Sequence, residues 1–63
     1  MMQSHVIDIG GVFMGAAVRE AGAYRFVAVD PRVEGLDHTM WPDLATTERA
    51  VRHVLTTGRV PAN

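Results

Sequence analysis

FMGAAVREAGAYRFVAV, residues 13–29, decides the fold. Apolar and β-prone residues flank the break Glu20-Ala21-Gly22-Ala23, so the stretch reads as two strands about a turn, with Gly22 as the permissive residue. Neither strand alternates cleanly between apolar and polar positions. An antiparallel sheet with one solvated face shows polar residues on that face, and these strands offer too few of them.

Working outward, HVIDI (residues 5–9) precedes the pair Gly10-Gly11. Two glycines between β-prone runs signal a two-residue hairpin, because a type I′ turn requires positive φ at both central positions. Strands one and two are therefore antiparallel neighbours, and strand three pairs with strand two. Downstream, DPRVEGLDHTMWPDL (residues 30–44) opens with a proline, which lacks the N–H a ladder needs and ends the third strand. Gly35 and Asp37-His38 mark turns in an ordered loop that carries Val33, Leu36, Met40 and Trp41 back toward a core. Asp43 is the natural N-cap of a helix from Leu44 to about Thr57, closed by Gly58 in the left-handed conformation and barred from continuing by Pro61. Leu44, Thr47, Val51, Val54, Leu55 and Gly58, with Ala50 beside them, share one face of that helix.

The expected architecture is thus α+β: a three-stranded antiparallel meander at about 4–9, 12–20 and 24–30, an ordered loop, and one C-terminal helix at about 44–57 packed on one sheet face. A single small domain spans residues 1–63, with ends that fray at about 1–3 and 60–63.

Register assigns the faces. A turn at Gly10-Gly11 sets Ile9 opposite Val12 and Ile7 opposite Met14, and a turn at Ala21-Gly22 sets Val27 opposite Ala16. One face then holds Ile7, Ile9, Val12, Met14, Ala16, Val18, Val27 and Val29, and the helix is expected on it. The other holds Val6, Phe13, Gly15, Ala17, Tyr24, Phe26 and Ala28, interrupted mainly by Asp8. A different length for the second turn would exchange the faces of strand three without making either polar. One helix covers one face, so the second is covered either by the loop bearing Trp41 or by another copy of the chain. Contiguous apolar patches mark such contacts, and most soluble oligomers are two-fold dimers. A homodimer through Val6, Phe13, Ala17, Tyr24, Phe26 and Trp41 is the expectation.

Composition agrees. A chain of 63 residues buries only about 60% of the surface it exposes when unfolded, so its core is marginal and help from oligomerisation is expected. Cysteine is absent, which removes disulfides and thiolate zinc sites and permits a reducing cytoplasm. No basic-flanked signal segment or bilayer-length apolar run is present, so a soluble cytoplasmic protein is expected, without membrane partners. The formal charge is −1, with residues 1–43 at −3 and residues 44–63 at +2. That mild asymmetry lacks the basic field of non-specific nucleic-acid binding.

Motifs for chemistry are weak. Gly10 and Gly15 have the outer spacing of a phosphate-binding loop, but Ala16-Ala17 stand where Lys and Ser/Thr are needed, so a hairpin turn and a close-packed sheet glycine are the better reading. His5, His38 and His53 are scattered over strand, loop and helix rather than paired at metal-ligand spacing. Asp37-His38 sits in a turn, where Asp serves the backbone. No nucleophile motif surrounds a serine. No catalytic, cofactor-binding or metal-ligating residue is assigned, and the expectation is a non-enzymatic protein with no cofactor.

Arg19 and Arg25 near one hairpin tip, with Arg49 and Arg52 on the helix, are the candidate contacts for an anionic partner. Three strands followed by a helix resemble the small DNA-binding arm domains of phage-type integrases, and MWPDLATTERA (residues 40–50) resembles their aromatic, turn, helix junction. The same order is similar to small HicB-like antitoxin domains. Either resemblance implies a nucleic-acid-binding or regulatory domain using those arginines. Integrase arm sheets, however, present basic and polar residues to the groove, whereas both faces here are apolar. The favoured expectation is a small interaction or structural module that homodimerises through its second apolar face and also offers it to an unknown protein partner.

Overall fold

In a computed structural model that describes residues 3–61, β1 (Ser4–Ile9) and β2 (Val12–Glu20) meet at Gly10-Gly11, whose φ angles are 58° and 83°. Both glycines therefore hold the left-handed backbone that the hairpin requires. The second hairpin turns at Ala21-Gly22, with φ 50° and 80°, and leads into β3 (Ala23–Ala28). Ala16 lies opposite Val27 as expected. These pairings are antiparallel, with β2 between β1 and β3.

The loop is more structured than its sequence suggests. Asp30 caps a 3-10 helix over Pro31–Leu36, its Oδ1 accepting from Arg32 N at 2.9 Å. A two-residue strand, β4 (Met40–Trp41), then pairs with β3, placing Trp41 opposite Tyr24 and Met40 opposite Arg25. Between these elements the ladder on β3 is completed by irregular chain. Phe26 N donates to Thr39 O, His38 N donates to Phe26 O, and Ala28 N donates to the Asp37 carboxylate at 2.9 Å. Asp37 thus replaces the backbone acceptor that a longer β4 would supply.

β3 stops at Ala28, two residues before the expected end. Val29 N and Asp30 N both donate to Met14 O, so the chain is drawn across β2 instead of continuing along it. Met14 is the extra residue of a β-bulge: Asp8 pairs with Phe13, yet Ile7 pairs with Gly15. This corrects the expected pairing of Ile7 with Met14. A bulge presents two residues of one strand to a single residue of the other, and it moves Ile7 to the side of Gly15, Ala17 and Phe26.

α1 (Leu44–Thr57) starts and stops as the sequence predicts. Asp43 Oδ1 accepts from Thr46 N at 2.7 Å, and Gly58, at φ 72°, donates its N–H to Val54 O. Buried Thr47 satisfies its hydroxyl by donating to Asp43 O at 2.8 Å.

The helix lies on the expected side of β1, where Ile7 and Ile9 meet the core together with Met14, but beyond the bulge it covers the alternate residues, Ala17 of β2 and Tyr24, Phe26 and Ala28 of β3, in place of the expected Ala16, Val18, Val27 and Val29. The core consists of Ile7, Met14, Ala17 and Phe26 from the sheet, Val33 and Leu36 from the 3-10 helix, and Ala50, Val51 and Val54 from α1, with Tyr24, Ala28, Trp41, Leu44 and Leu55 packed against it. Two causes act together. Tyr24, Phe26 and Trp41 give this face more apolar area than the valine-rich one, since each aromatic can bury about 150–250 Å². The bulge adds Met14 to the same side, and Gly15 and Ala17 leave room for the rings.

Of the ends expected to fray, residues 1–2 and 62–63 lie outside the described residues. Gln3 is held to β2 through Arg19 N at 2.8 Å, and Pro61 is half-buried.

Candidate interaction surface

Alternation along the strands defines what the helix leaves uncovered. Ser4, Val6 and Asp8 of β1, Phe13, Ala16, Val18 and Glu20 of β2, Arg25 and Val27 of β3, and Met40 of β4 share the open face. Val29, just past the end of β3, is exposed as well. Val6 is 68% exposed, Val29 57%, Met40 48% and Phe13 47%. Val18 is buried between cross-strand neighbours Ser4 and Arg25. The polar groups sit toward opposite ends: Asp8 beside Phe13, and Glu20 ion-paired with Arg25 near the second hairpin. That pair leaves Arg25 Nε shielded and without a hydrogen-bond partner.

The six residues expected at an interface divide. Val6 and Phe13 are on the open face. Ala17 and Phe26 are instead at 0% exposure beneath α1 in their own chain, and Tyr24 and Trp41 are half-buried on the helix side. Ala16, Val18 and Val27, which sequence reasoning gave to the helix, and Met40, which it gave to the loop, take their places. The expectation that the Trp41 loop or a second copy covers the Phe26 face is resolved within the chain: α1, the 3-10 helix and Trp41 cover it. A second apolar face remains, with different members.

On the helix side, Trp41, Thr46, Arg49, Ala50, His53 and Pro61 line an open, mostly apolar groove of about 180 Å³. A relay fixes the indole: Trp41 Nε1 donates to Thr39 Oγ1 at 2.8 Å, and that hydroxyl donates to Leu36 O at 2.6 Å. The indole N–H is thereby used internally and offers nothing to a ligand.

The candidate anionic contacts do not converge. Arg19 is paired opposite Tyr24 on the helix side, whereas Arg25 is on the open face. Arg25 is engaged by Glu20, and Arg52 by Glu48 one helical turn away. Arg49 is exposed at the rim of the Trp41 groove. No stripe joins Arg19, Arg25 and Arg49.

Titratable groups serve the fold. Hydrogen bonds from the Arg32 side chain, and then from its backbone N–H, hold the Asp30 carboxyl down to about 2, and the side-chain bond together with the Asp30 charge raises the Arg32 guanidinium. The Thr46 backbone N–H lowers Asp43, helped by the Thr46 side chain and by Arg49. His38 Nε2 lies 3.2 Å from Asp37 Oδ2 at an exposed turn, and His5 stacks edge-on against Tyr24 with centroids 5.9 Å apart. Among the described residues no three His, Cys, Asp or Glu cluster in a way that could hold a metal ion, and no helix is long and apolar enough to cross a membrane.

No protein-family model, curated protein or solved structure matches this chain.

Proposed function

We propose that the protein is a small, non-enzymatic interaction or structural module of the cytoplasm that homodimerises through the open face of its sheet. The carrying observation is the continuity of Val6, Phe13, Ala16, Val18, Val27 and Met40 on a face that α1 does not touch. Exposed aromatic and methionine side chains such as Phe13 and Met40 are enriched at interfaces. The partner is a second copy, because the face is nearly neutral: the charges of Glu20 and Arg25 offset each other, leaving Asp8 at the periphery.

The separation of Arg19, Arg25 and Arg49 argues against a nucleic-acid surface, which needs a contiguous basic stripe. The test is sedimentation of the wild type against Phe13→Asp, which sets a charge into the contact. A halved mass with unchanged circular dichroism supports the proposal, and an unchanged mass refutes it.

A further inference from the structure

The two edges of the sheet are finished differently. The edge at β4 is only two residues long, and beyond it the outer groups of β3 are taken up by Thr39, His38 and the Asp37 carboxylate, whereas β1 is a six-residue edge with which, among the described residues, no further strand pairs. Gln3 O accepts from Arg19 N, so by the two-residue period of a strand the polar backbone groups of residues 3, 5 and 7 point to β2. Those of Ser4, Val6 and Asp8 point outward. β1 carries no proline, lysine or bulge to blunt that edge, the bulge residue being on β2.

We propose that β1 pairs antiparallel with β1 of a second copy, about a two-fold axis through Val6. In this register Ser4 faces Asp8 of the second copy, Val6 faces Val6, and Asp8 faces Ser4. The N–H and C=O of all three outward residues find partners. A shift of the second copy by two residues in either direction matches only two of the three with strand residues. The side chains agree with the same register. The Ser4 hydroxyl can donate to the opposing Asp8 carboxylate, the two Asp8 groups are kept apart, and His5 stands opposite Ile7. Opposite charges or a donor–acceptor pair across strands favour a register that like charges would oppose. The axis differs from that of the open-face contact, so the two contacts are independent of each other.

Backbone amide exchange followed by NMR on the full chain at high concentration tests this directly. The amides of Val6 and Asp8 are expected to exchange as slowly as those of His5 and Ile7, which are bonded to β2. Exchange of Val6 and Asp8 at unprotected rates, beside protected His5 and Ile7, overturns the proposal. Open-face packing covers side chains and leaves these amides to water. Phe13→Asp therefore abolishes the face contact while Val6 and Asp8 stay protected, which separates failure of one contact from failure of the other. Because the chain has no cysteine, a mixture of Ser4→Cys and Asp8→Cys chains gives an independent readout of register. Mixed disulfides in excess over either homodimer are expected. Homodimers alone, or no cross-link, would contradict the register.

Discussion

Phe26 lies against Gly15. A Cβ built on Gly15 would stand 2.8 Å from Phe26 Cζ and would also strike the Val27 carbonyl oxygen. The missing side chain lets the largest fully buried side chain approach the β2 backbone at the residue after the bulge at Met14. Gly15→Ala is expected to lower stability by about 1–3 kcal/mol, as overpacking does. Urea unfolding of the variant beside wild type measures it, and a change within error would mean that both the Phe26 ring and the Val27 carbonyl can move aside.

Ala21 carries φ 50° in the second hairpin, a conformation that glycine and asparagine accept more readily. Ala21→Gly and Ala21→Asn are each expected to stabilise the fold by about 0.5–1 kcal/mol, raising Tm by several degrees for a chain this small. Thermal unfolding checks the sign; a lowered Tm in both would place Ala21 outside a type I′ turn.

Leu36, fully buried in the 3-10 helix, makes the loop part of the core. Leu36→Ala is expected to cost about 2–5 kcal/mol, against little change for exposed Glu34→Ala. Equal midpoints in urea for the two variants would show the loop to be an independent flap.

Acid weakens the two loop carboxylates' contributions. Asp30 is held at about 2, below its ordinary 3.8, and Asp43 is also lowered. A depressed carboxyl contributes fully above its unfolded value and loses that contribution as pH falls through the folded value. Stability should therefore fall from near pH 4 toward about pH 2, the window set by Asp30. Asp30→Asn and Asp43→Asn should flatten that dependence, measured as urea midpoints across the range. An unaltered slope in both variants would assign the acid sensitivity to other groups.

Much of this architecture is legible in the residues because local chemistry dictates it. Gly10-Gly11 has no comfortable alternative to a tight hairpin, and Asp43 and Gly58 mark helix ends by hydrogen bonding and by left-handed backbone. The helix's choice of face is different. Both sheet faces are apolar, so periodicity does not choose between them, and the choice falls to ring area and to the bulge. Met14 itself gives no sign of being the extra residue. The nearest sign is the isolated Gly15 in a strand pattern. β4 is too short for a periodic signature, and Asp37 as a surrogate ladder acceptor is visible only once β3 has stopped. Hence Val6 and Phe13 were assignable to the open surface from sequence, while Ala17 and Phe26 were not separable from it.

The most direct test of the open-face contact is sedimentation equilibrium of wild type and Phe13→Asp at micromolar concentration. Phe13 is exposed within its own chain, so the substitution should leave the fold intact. The account predicts an associated wild type whose mass halves in the variant, with the far-ultraviolet dichroism of the two superimposing. A wild type that sediments as a monomer, or a variant of equal mass, would contradict it.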